Sequence, residues 1–406
     1  MTYARRPIRV LAAGLGLILL TGCTSVVAGQ ASPAPAEETV SVPPTADPMP
    51  APEVGPGTIV EAHRIAAATV QPQFVFPELD DSCLPTFPVI QAENLEFTVF
   101  AEGTATATYT RFGFVAGFSS CRRETDGPGT AIVFVGEMSD EDSAAVAAEE
   151  LASNFVDVNG SERFELSGFE SLPAVMSADV VDGEDKVTVE VLQPVGRMLA
   201  YFYYTAPTLE RAEEALAELL EEQRQLLGDF EPTPQEEILG LDPDPFDLAR
   251  RTATPPGEAD LFTGSFDLPG YLHLAIDPQL EAELLPANGF AGLYNRSGFD
   301  EPTGASYQFQ TYEFGSLAEA DTVFAEFTRI EQEEFSDRVA FSVPEDPTIP
   351  CFYIPATEAG GMVYQRCYSR VGPYLGLTDV FLVTDPADIT AIRGHVQEQI
   401  RLMGAP

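Results

Sequence analysis

The residues of this chain that could carry out chemistry are few and scattered. The three histidines, His63, His273 and His395, stand in no metal-binding spacing such as HExxH, and Lys186, the single lysine, lies beside a predicted turn. The sequence contains no GxSxG elbow, SxxK pair or P-loop, and no dinucleotide fingerprint after a strand. Paired carboxylates carry no information, because 64 acidic residues create pairs by chance. No catalytic, metal-binding or cofactor-binding residue is assigned, and no cofactor is expected.

The five cysteines divide into one and four. Cys23 follows a signal-like segment, and the other four are an even number, which is typical of disulfide bonding in an oxidising compartment. Cys351 and Cys367 flank a turn-like segment between two strand-like runs, so we expect them to face each other across a hairpin. Cys83 is then left to pair with Cys121. A metal site and a redox pair are the alternatives, and neither has the CxxC spacing typical of it.

The N-terminus has the features of an export signal. Arg5, Arg6 and Arg9 precede an apolar run of about 11 residues, and small residues then lead into Cys23. This pattern is a lipobox, so residues 1–22 are interpreted as a lipoprotein signal peptide and Cys23 as the site of lipid attachment. Acyl chains on Cys23 would hold the protein at the extracytoplasmic face of the cell membrane. Residues 23–57, rich in Pro and Ala, are predicted to be a disordered tether.

The net charge excludes several classes of partner. At −43, the chain repels nucleic acid and anionic lipid headgroups. The expected partners are the membrane, reached through the N-terminal lipid, and an envelope protein or an apolar ligand.

A few basic and aromatic residues are candidate ligand contacts. Arg122, after Cys121, and Arg296, in the corresponding part of the second half, could hold an anionic ligand or form ordinary ion pairs. Tyr201 and Tyr203 lie on one face of a strand-like run. Arg64, in a short helix predicted at about residues 58–68, is the last member of this set.

The elements that must position these residues occur twice. Short motifs of the first half return in the second half at an offset of roughly 176 residues, including VAAE at 146–149 and VFAE at 323–326. Each copy is predicted as β-β-α-β-β-β-α. The expected fold class is α+β, with two tandem pseudo-repeats, each an antiparallel sheet with its helices packed on one face. The other face of each sheet could be covered by the other repeat, or it could stay open as a groove.

The predicted boundaries and elements follow from the same pattern. Residues 58–228 form a first α+β domain, 229–268 an inter-domain connection and 269–406 a second α+β domain. Within them we expect strands at 110–120, 130–136, 172–180, 186–192 and 198–205, a helix capped by Ser139 and another from Pro207 to about residue 227. Residues 271–276 are strand-like.

Four short segments resemble a known family. They are TSVVAG at 24–29, EAHRIA at 61–66, GFVAGF at 113–118 and LDPD at 241–244. With the lipobox, they resemble the DUF7373 type of uncharacterised lipoproteins from mycolic-acid-containing actinobacteria. The resemblance implies an exported, lipid-anchored envelope protein, and it brings no activity and no catalytic residues.

Three functions follow as hypotheses. The first is a non-enzymatic binding or scaffold module of the envelope. The second is a carrier of lipid or glycolipid in an aromatic-lined cavity. The third is a hydrolase whose site lies between the repeats, with a nucleophile beside His63 or His273.

Overall fold

The structure is a computed structural model that describes residues 54–96, 98–181, 184–343, 346–354, 363–382 and 390–405. The signal peptide, Cys23 and nearly all of the tether lie outside these ranges. The turn expected between Cys351 and Cys367, at residues 357–361, also lies outside them.

The first half forms one antiparallel sheet with helices around it. Its helices are α1 Pro56–Ala67, α2 Pro72–Val75, α3 Thr106–Arg111, α4 Glu141–Asn154, α5 Leu209–Asp229 and α6 Gln235–Ile238. Its strands are β1 Asp81–Ser82, β2 Phe87–Val89, β3 Gly117–Arg123, β4 Thr130–Glu137, β5 Glu162–Phe164, β6 Ala174–Val181, β7 Glu184–Val195 and β8 Met198–Ala206. The sheet order is β1-β3-β4-β8-β7-β6-β5, and β2 also pairs with β3.

The second half forms a second sheet of the same order. Its strands are β9 Glu258–Ala259, β10 Gly264–Phe266, β11 Gly292–Asp300, β12 Ala305–Glu313, β13 Val339–Val343, β14 Asp346–Ile354, β15 Val363–Val371 and β16 Tyr374–Leu382. Its helices are α7 Leu268–Leu272, α8 Pro278–Ala287, α9 Leu317–Glu334 and α10 Thr390–Met403. The sheet order is β10-β11-β12-β16-β15-β14-β13, and β9 also pairs with β11.

The register confirms the duplication. Ile132 of β4 lies opposite Tyr203 of β8, and Gln308 of β12 lies opposite Asp379 of β16. Both members of the second pair stand 176 positions after their counterparts in the first. The α+β class with two tandem repeats is therefore confirmed, and residues of the two copies can be compared position by position.

The helices of each repeat lie on both faces of its sheet, not on one. In β8, Phe202 and Tyr204 pack in the cluster that contains α5, whereas Leu199 and Tyr201 pack in the cluster that contains α4. In the second repeat α9 and α10 are separated in the same way. The reason is visible in β8, which is apolar at almost every position, because a strand buried on both faces has no polar side.

Several element predictions need correction. The strand expected at 110–120 begins as the end of α3, and β3 starts only at Gly117; the strand-like residues 271–276 include the end of α7. Each repeat also has a short strand that was not predicted: β5 lies between α4 and β6, and β13 lies between α9 and β14. Asp140, not Ser139, caps α4, because its carboxylate accepts the Ser143 N–H at 2.7 Å.

Both disulfide pairs are confirmed. Cys351 and Cys367 lie opposite each other on β14 and β15, with Cα atoms 4.2 Å apart. Cys83 is bonded to Cys121, with Cα atoms 5.1 Å apart. Each repeat thus carries one internal cross-link.

The connection at 229–268 packs against both repeats. Ile238 lies in the core of the first repeat. Phe246 packs on Gly292 of the second so closely that a Cβ there would lie 2.4 Å from the ring. Helix α1 then joins the halves, since it contacts β3 of the first repeat and β10 and α7 of the second.

Candidate functional site

A cavity of about 60 Å³ lies in the second repeat, between its sheet and the helices α7, α8 and α9. Apolar side chains form part of its wall: Leu274, Ile276, Phe327, Ile330 and Leu377. Polar side chains form the rest: Tyr271, Glu281, Gln308, Gln310, Tyr312, Glu331, Arg366 and Tyr368. Glu281, Tyr312 and Glu331 are buried, whereas Ile276 is 40% exposed and marks the outer side of the cavity.

Arg366 is held in place by two carboxylates. Its partner in the strand register is Asp379, and the guanidinium donates to both Asp379 oxygens, from Nε at 2.7 Å and from Nη2 at 2.6 Å. Its Nη1 donates to Oε1 of Glu331 on α9. Bidentate pairs of this kind fix the guanidinium plane. All three nitrogens of Arg366 are therefore engaged by carboxylates.

Glu331 has one oxygen satisfied and one without a partner. Its Oε1 also accepts a hydrogen bond from the Tyr368 hydroxyl at 2.8 Å. Its Oε2 is buried and has no hydrogen-bond partner. Burial raises the pKa of Glu331, against the opposing effect of Arg366. A buried carboxylate oxygen without a donor costs free energy, so this atom is the feature of the cavity that most needs explanation.

A second carboxylate belongs to a tyrosine network. The Tyr271 hydroxyl donates to Oε2 of Glu281 at 2.5 Å, and the Tyr312 hydroxyl lies 3.0 Å from that of Tyr271. Tyr312 also lies 2.9 Å from Oε1 of Gln310. Burial raises the pKa of Glu281 to about 7, although the hydrogen bond from Tyr271 opposes this shift. This carboxyl group therefore titrates near neutral pH.

The first repeat fills the equivalent space with aromatic rings. In the strand register Phe134 stands at the position of Gln310. Counted from the helix caps Asp140 and Ser316, which are 176 residues apart, Phe155 stands at the position of Glu331. Phe155 packs 5.8 Å from Tyr201, measured between ring centroids, and Phe100 packs 4.5 Å from Tyr201. Glu190, at the position of Arg366, accepts a hydrogen bond from Tyr201 at 2.7 Å.

A separate groove of about 490 Å³ opens on the same face of the first sheet, towards β5 and β6. Its lining is mostly polar: Asn159, Gly160, Ser161, Glu162, Met176, Ser177, Ala178, Thr188, Glu190 and Tyr203. Tyr203, one of the predicted ligand contacts, is thus the member of that set that faces an open space.

The other predicted ligand contacts lie apart from both spaces. Tyr201 is buried in the aromatic cluster described above. Arg64 donates to Glu61 at 2.6 Å and to the carbonyl of Glu231 at 3.0 Å. Arg296 donates to the carbonyl of Ala249 at 3.0 Å.

Arg122 is a buried contact between the repeats. Its guanidinium donates to the carbonyl oxygen of His273 at 3.2 Å. Each predicted arginine contact therefore has a structural partner inside the protein.

A serine–histidine pair occurs between the repeats, where the hydrolase hypothesis places its nucleophile. The Ser120 hydroxyl lies 2.9 Å from Nδ1 of His273, and Nε2 of His273 lies 2.9 Å from the carbonyl oxygen of Ala66. Ser120 is fully buried and His273 is 1% exposed. His63 is buried likewise, with its ring nitrogens near the carbonyls of Ser265 and Leu261. As the fold stands, no substrate can reach the Ser120 hydroxyl.

Sequence reasoning missed Glu281, Glu331, Arg366 and Asp379. A signal for one of them, Glu331, exists in the repeat offset, because aligning the halves at 176 residues places it on Phe155; the same alignment places the neighbouring cavity residue Gln310 on Phe134. A polar residue in one repeat at a position where the other repeat has an apolar core residue indicates that the two repeats use that position differently. Glu281 lies outside the region where motifs repeat, so the alignment does not reveal it.

Residues 49–243 match the family described as the DUF7373 domain of unknown function, N-terminal. No curated protein matches the chain. Among solved structures, the extracellular domain of PknH from Mycobacterium tuberculosis is 7% identical, with a TM-score of 0.25, and the match covers 40% of this chain and 96% of that one. The di-domain ARO/CYC StfQ of the steffimycin pathway is 9% identical, with a TM-score of 0.14, and covers 87% of this chain and 94% of its own. Likeness at this level carries no argument about function.

Membrane-spanning helices and clustered metal ligands are both absent from the part of the chain that the structure describes. None of its helices combines the length and apolar character needed to cross a bilayer. In the same ranges no group of three or more His, Cys, Asp and Glu side chains is arranged to hold a metal ion.

Proposed function

Because residues 49–243 match the DUF7373 family, whose function is unknown, the function must be argued from the site, and we propose a binding function. The protein is a lipid-anchored module on the extracytoplasmic side of the membrane that binds a small polar ligand in the cavity of its second repeat. The observation that carries this proposal is the buried Glu331 Oε2, which lacks a donor within the protein.

The anchor is supported by the N-terminal sequence. The arginines, the apolar run and the small residues before Cys23 have the order that a lipoprotein signal requires. The two disulfide bonds are consistent with an oxidising compartment. The net charge of −43 favours solubility above the membrane surface.

The binding function is supported by the chemistry of the cavity. Polar groups that converge on a small concave space, with carboxyl pKa values raised by burial, are typical of ligand sites. A ligand donating to Glu331 Oε2 would remove the cost of leaving that atom unpaired. Catalysis is the weaker interpretation, because the serine–histidine pair between the repeats is closed to substrate.

The anchor is tested by metabolic labelling with palmitate. We expect label on the wild-type protein and none on Cys23→Ala. Equal labelling of both proteins would show that Cys23 is not the attachment site.

The binding function is tested by thermal unfolding of the full-length protein, purified in a non-ionic detergent, with a panel of cationic, neutral and anionic compounds of up to about five non-hydrogen atoms. We expect at least one class to raise the Tm of the wild type. Leu377→Tyr, which puts the first-repeat residue into the cavity wall, should abolish that rise. A panel without any stabilising compound would contradict the proposal.

A further inference from the structure

We propose that the ligand of the second-repeat cavity is a primary ammonium group at the end of a short aliphatic chain. This inference depends on the binding function proposed above and assigns its ligand class.

The first argument is the balance of charge around the cavity. Glu281, Glu331 and Arg366 line the cavity, and Arg366 is paired with Glu331 and with Asp379, which lies outside the lining. The Arg366 charge is already matched by Asp379, with which it shares two hydrogen bonds. The remaining excess is negative and comes from Glu281 and Glu331. A cation entering the cavity would balance it, whereas an anion would meet the carboxylates of Glu281 and Glu331 in a site of low dielectric.

The second argument is hydrogen bonding. An alkylammonium group has three N–H donors and no acceptor. The cavity presents the complementary set: Glu331 Oε2 lacks a donor, and Glu281 and Gln310 offer further acceptor oxygens. A neutral hydroxyl can donate only one hydrogen bond, so it would satisfy fewer of these oxygens.

The third argument is shape and lining. A water-sized group occupies about 10–15 Å³ on this measure, so about 60 Å³ admits roughly four or five such groups. That space fits the nitrogen and a few methylene groups. The side chains of Leu274, Ile276 and Leu377 supply an apolar surface for the methylenes. The rings of Tyr271, Tyr312 and Tyr368, which also line the cavity, are the type of side chain that attracts a buried cation.

The first repeat provides an internal contrast. With Phe134 and Phe155 at the positions of Gln310 and Glu331, its aromatic cluster leaves no carboxylate at the position of Glu331. Glu190, at the position of Arg366, is the acid nearest in register, and it lines the separate groove of about 490 Å³, whose wall is mostly polar and which is far wider than a short alkylammonium. We therefore expect one ammonium site per chain, in the second repeat.

The test is calorimetric titration of the full-length protein in amine-free phosphate buffer at pH 8 with butylammonium chloride, 1-butanol and sodium butyrate. These probes share the chain and differ in the polar end. We expect butylammonium to bind with a stoichiometry of one and the other two to give no saturable signal. Glu331→Gln and Glu281→Gln should each weaken butylammonium binding at least tenfold, and Glu283→Gln, an exposed acid on the same helix as Glu281, should leave it unchanged.

The contrary outcomes separate the two proposals. If butanol or butyrate binds the wild type and Leu377→Tyr blocks it, the ammonium assignment is overturned and the binding function stands. If none of the three probes binds, the ammonium assignment is overturned, and the binding function is decided by the compound panel described above. If butylammonium binds equally well to Glu331→Gln and Glu281→Gln, the ligand lies elsewhere and the assignment is wrong. Circular dichroism of each variant, compared with the wild type, verifies that a lost signal reflects the site and not unfolding.

Discussion

At matching positions of two repeats with one topology, the first repeat buries Phe134 and Phe155, and the second buries Gln310 and Glu331. The first arrangement is a packed aromatic cluster, which stabilises through area and ring contacts. The second surrounds a cavity with an arginine paired to two carboxylates, two tyrosine–carboxylate hydrogen bonds and an unpartnered oxygen. Replacing a buried ion pair with well-packed apolar residues is often neutral or stabilising. The first copy shows that this backbone accepts such a core, so folding alone does not require the polar cluster of the second.

Substitution of Arg366 should have the largest effect on the stability of the polar cluster in the second repeat. Arg366→Met leaves Asp379 and Glu331 buried without a cation, so we expect the free energy of unfolding to fall by about 3–5 kcal/mol. Urea unfolding followed by circular dichroism measures the change. Arg370→Met is the matched control on the same strand, because its pair with Asp321 is partly exposed and should contribute less than about 1 kcal/mol. Similar losses for both variants would show that the cluster is not a coupled buried unit.

The interface between the repeats should respond to acid. Burial lowers the pKa of His63 to about 4 and that of His273 to about 3, although hydrogen bonds to backbone carbonyls, which favour the protonated rings, oppose the shifts. Because these folded-state values lie below the ordinary value, the unfolded chain binds more protons as the pH falls below about 6.5. We expect each histidine to cost about 2 kcal/mol of stability between pH 7 and pH 5.

Urea titrations at a series of pH values measure this dependence. His63→Gln should remove its share of the acid slope and leave the contribution of His273. An unchanged slope in the variant would show that His63 is not buried in its neutral form.

The cavity should respond in the opposite direction. The folded-state pKa of Glu281, about 7, lies above its ordinary value, so the folded protein binds more protons and loses stability as the pH rises. We expect a loss of about 2 kcal/mol between pH 5 and pH 7 from this group alone. Glu137 of the first repeat, whose pKa burial raises to about 8, contributes in the same direction.

The difference between wild type and Glu281→Gln isolates the contribution of the cavity. Matched urea titrations of the two proteins should diverge as the pH rises, with the wild type losing more stability. Parallel curves would contradict the burial of Glu281.

The smallest expected contrast concerns the two disulfide bonds. Cys83–Cys121 spans 38 residues and Cys351–Cys367 spans 16. On a loop-entropy account, removing the longer link should cost about 1 kcal/mol more than removing the shorter one. The double variants Cys83→Ser/Cys121→Ser and Cys351→Ser/Cys367→Ser, compared by urea unfolding, test this. The reverse order would indicate that strain or residual structure outweighs loop length.

The sequence by itself determined the duplication, the α+β class and both disulfide pairs. These follow from local signals, since the offset of 176 is carried by neighbouring residues and the hairpin of Cys351 and Cys367 is close in sequence. It also supplies the signal peptide and Cys23, which stay predictions because they lie outside the described residues. The prediction that the helices pack on one face of each sheet was wrong. Strand β8 is apolar on both faces, and a strand pattern alone does not say which helix covers which face.

Only the tertiary structure decided where the polar cavity lies. Glu281, Glu331 and Arg366 come from α8, α9 and β15, and no local pattern links them. Among the 64 acidic residues, a carboxylate of a binding site differs from the others only in its burial and in the hydrogen-bond donors close to it. Both properties depend on how distant elements pack. The same reason explains Ser120 and His273, whose pairing suggests chemistry until their burial beneath α1 and α7 shows that they are enclosed.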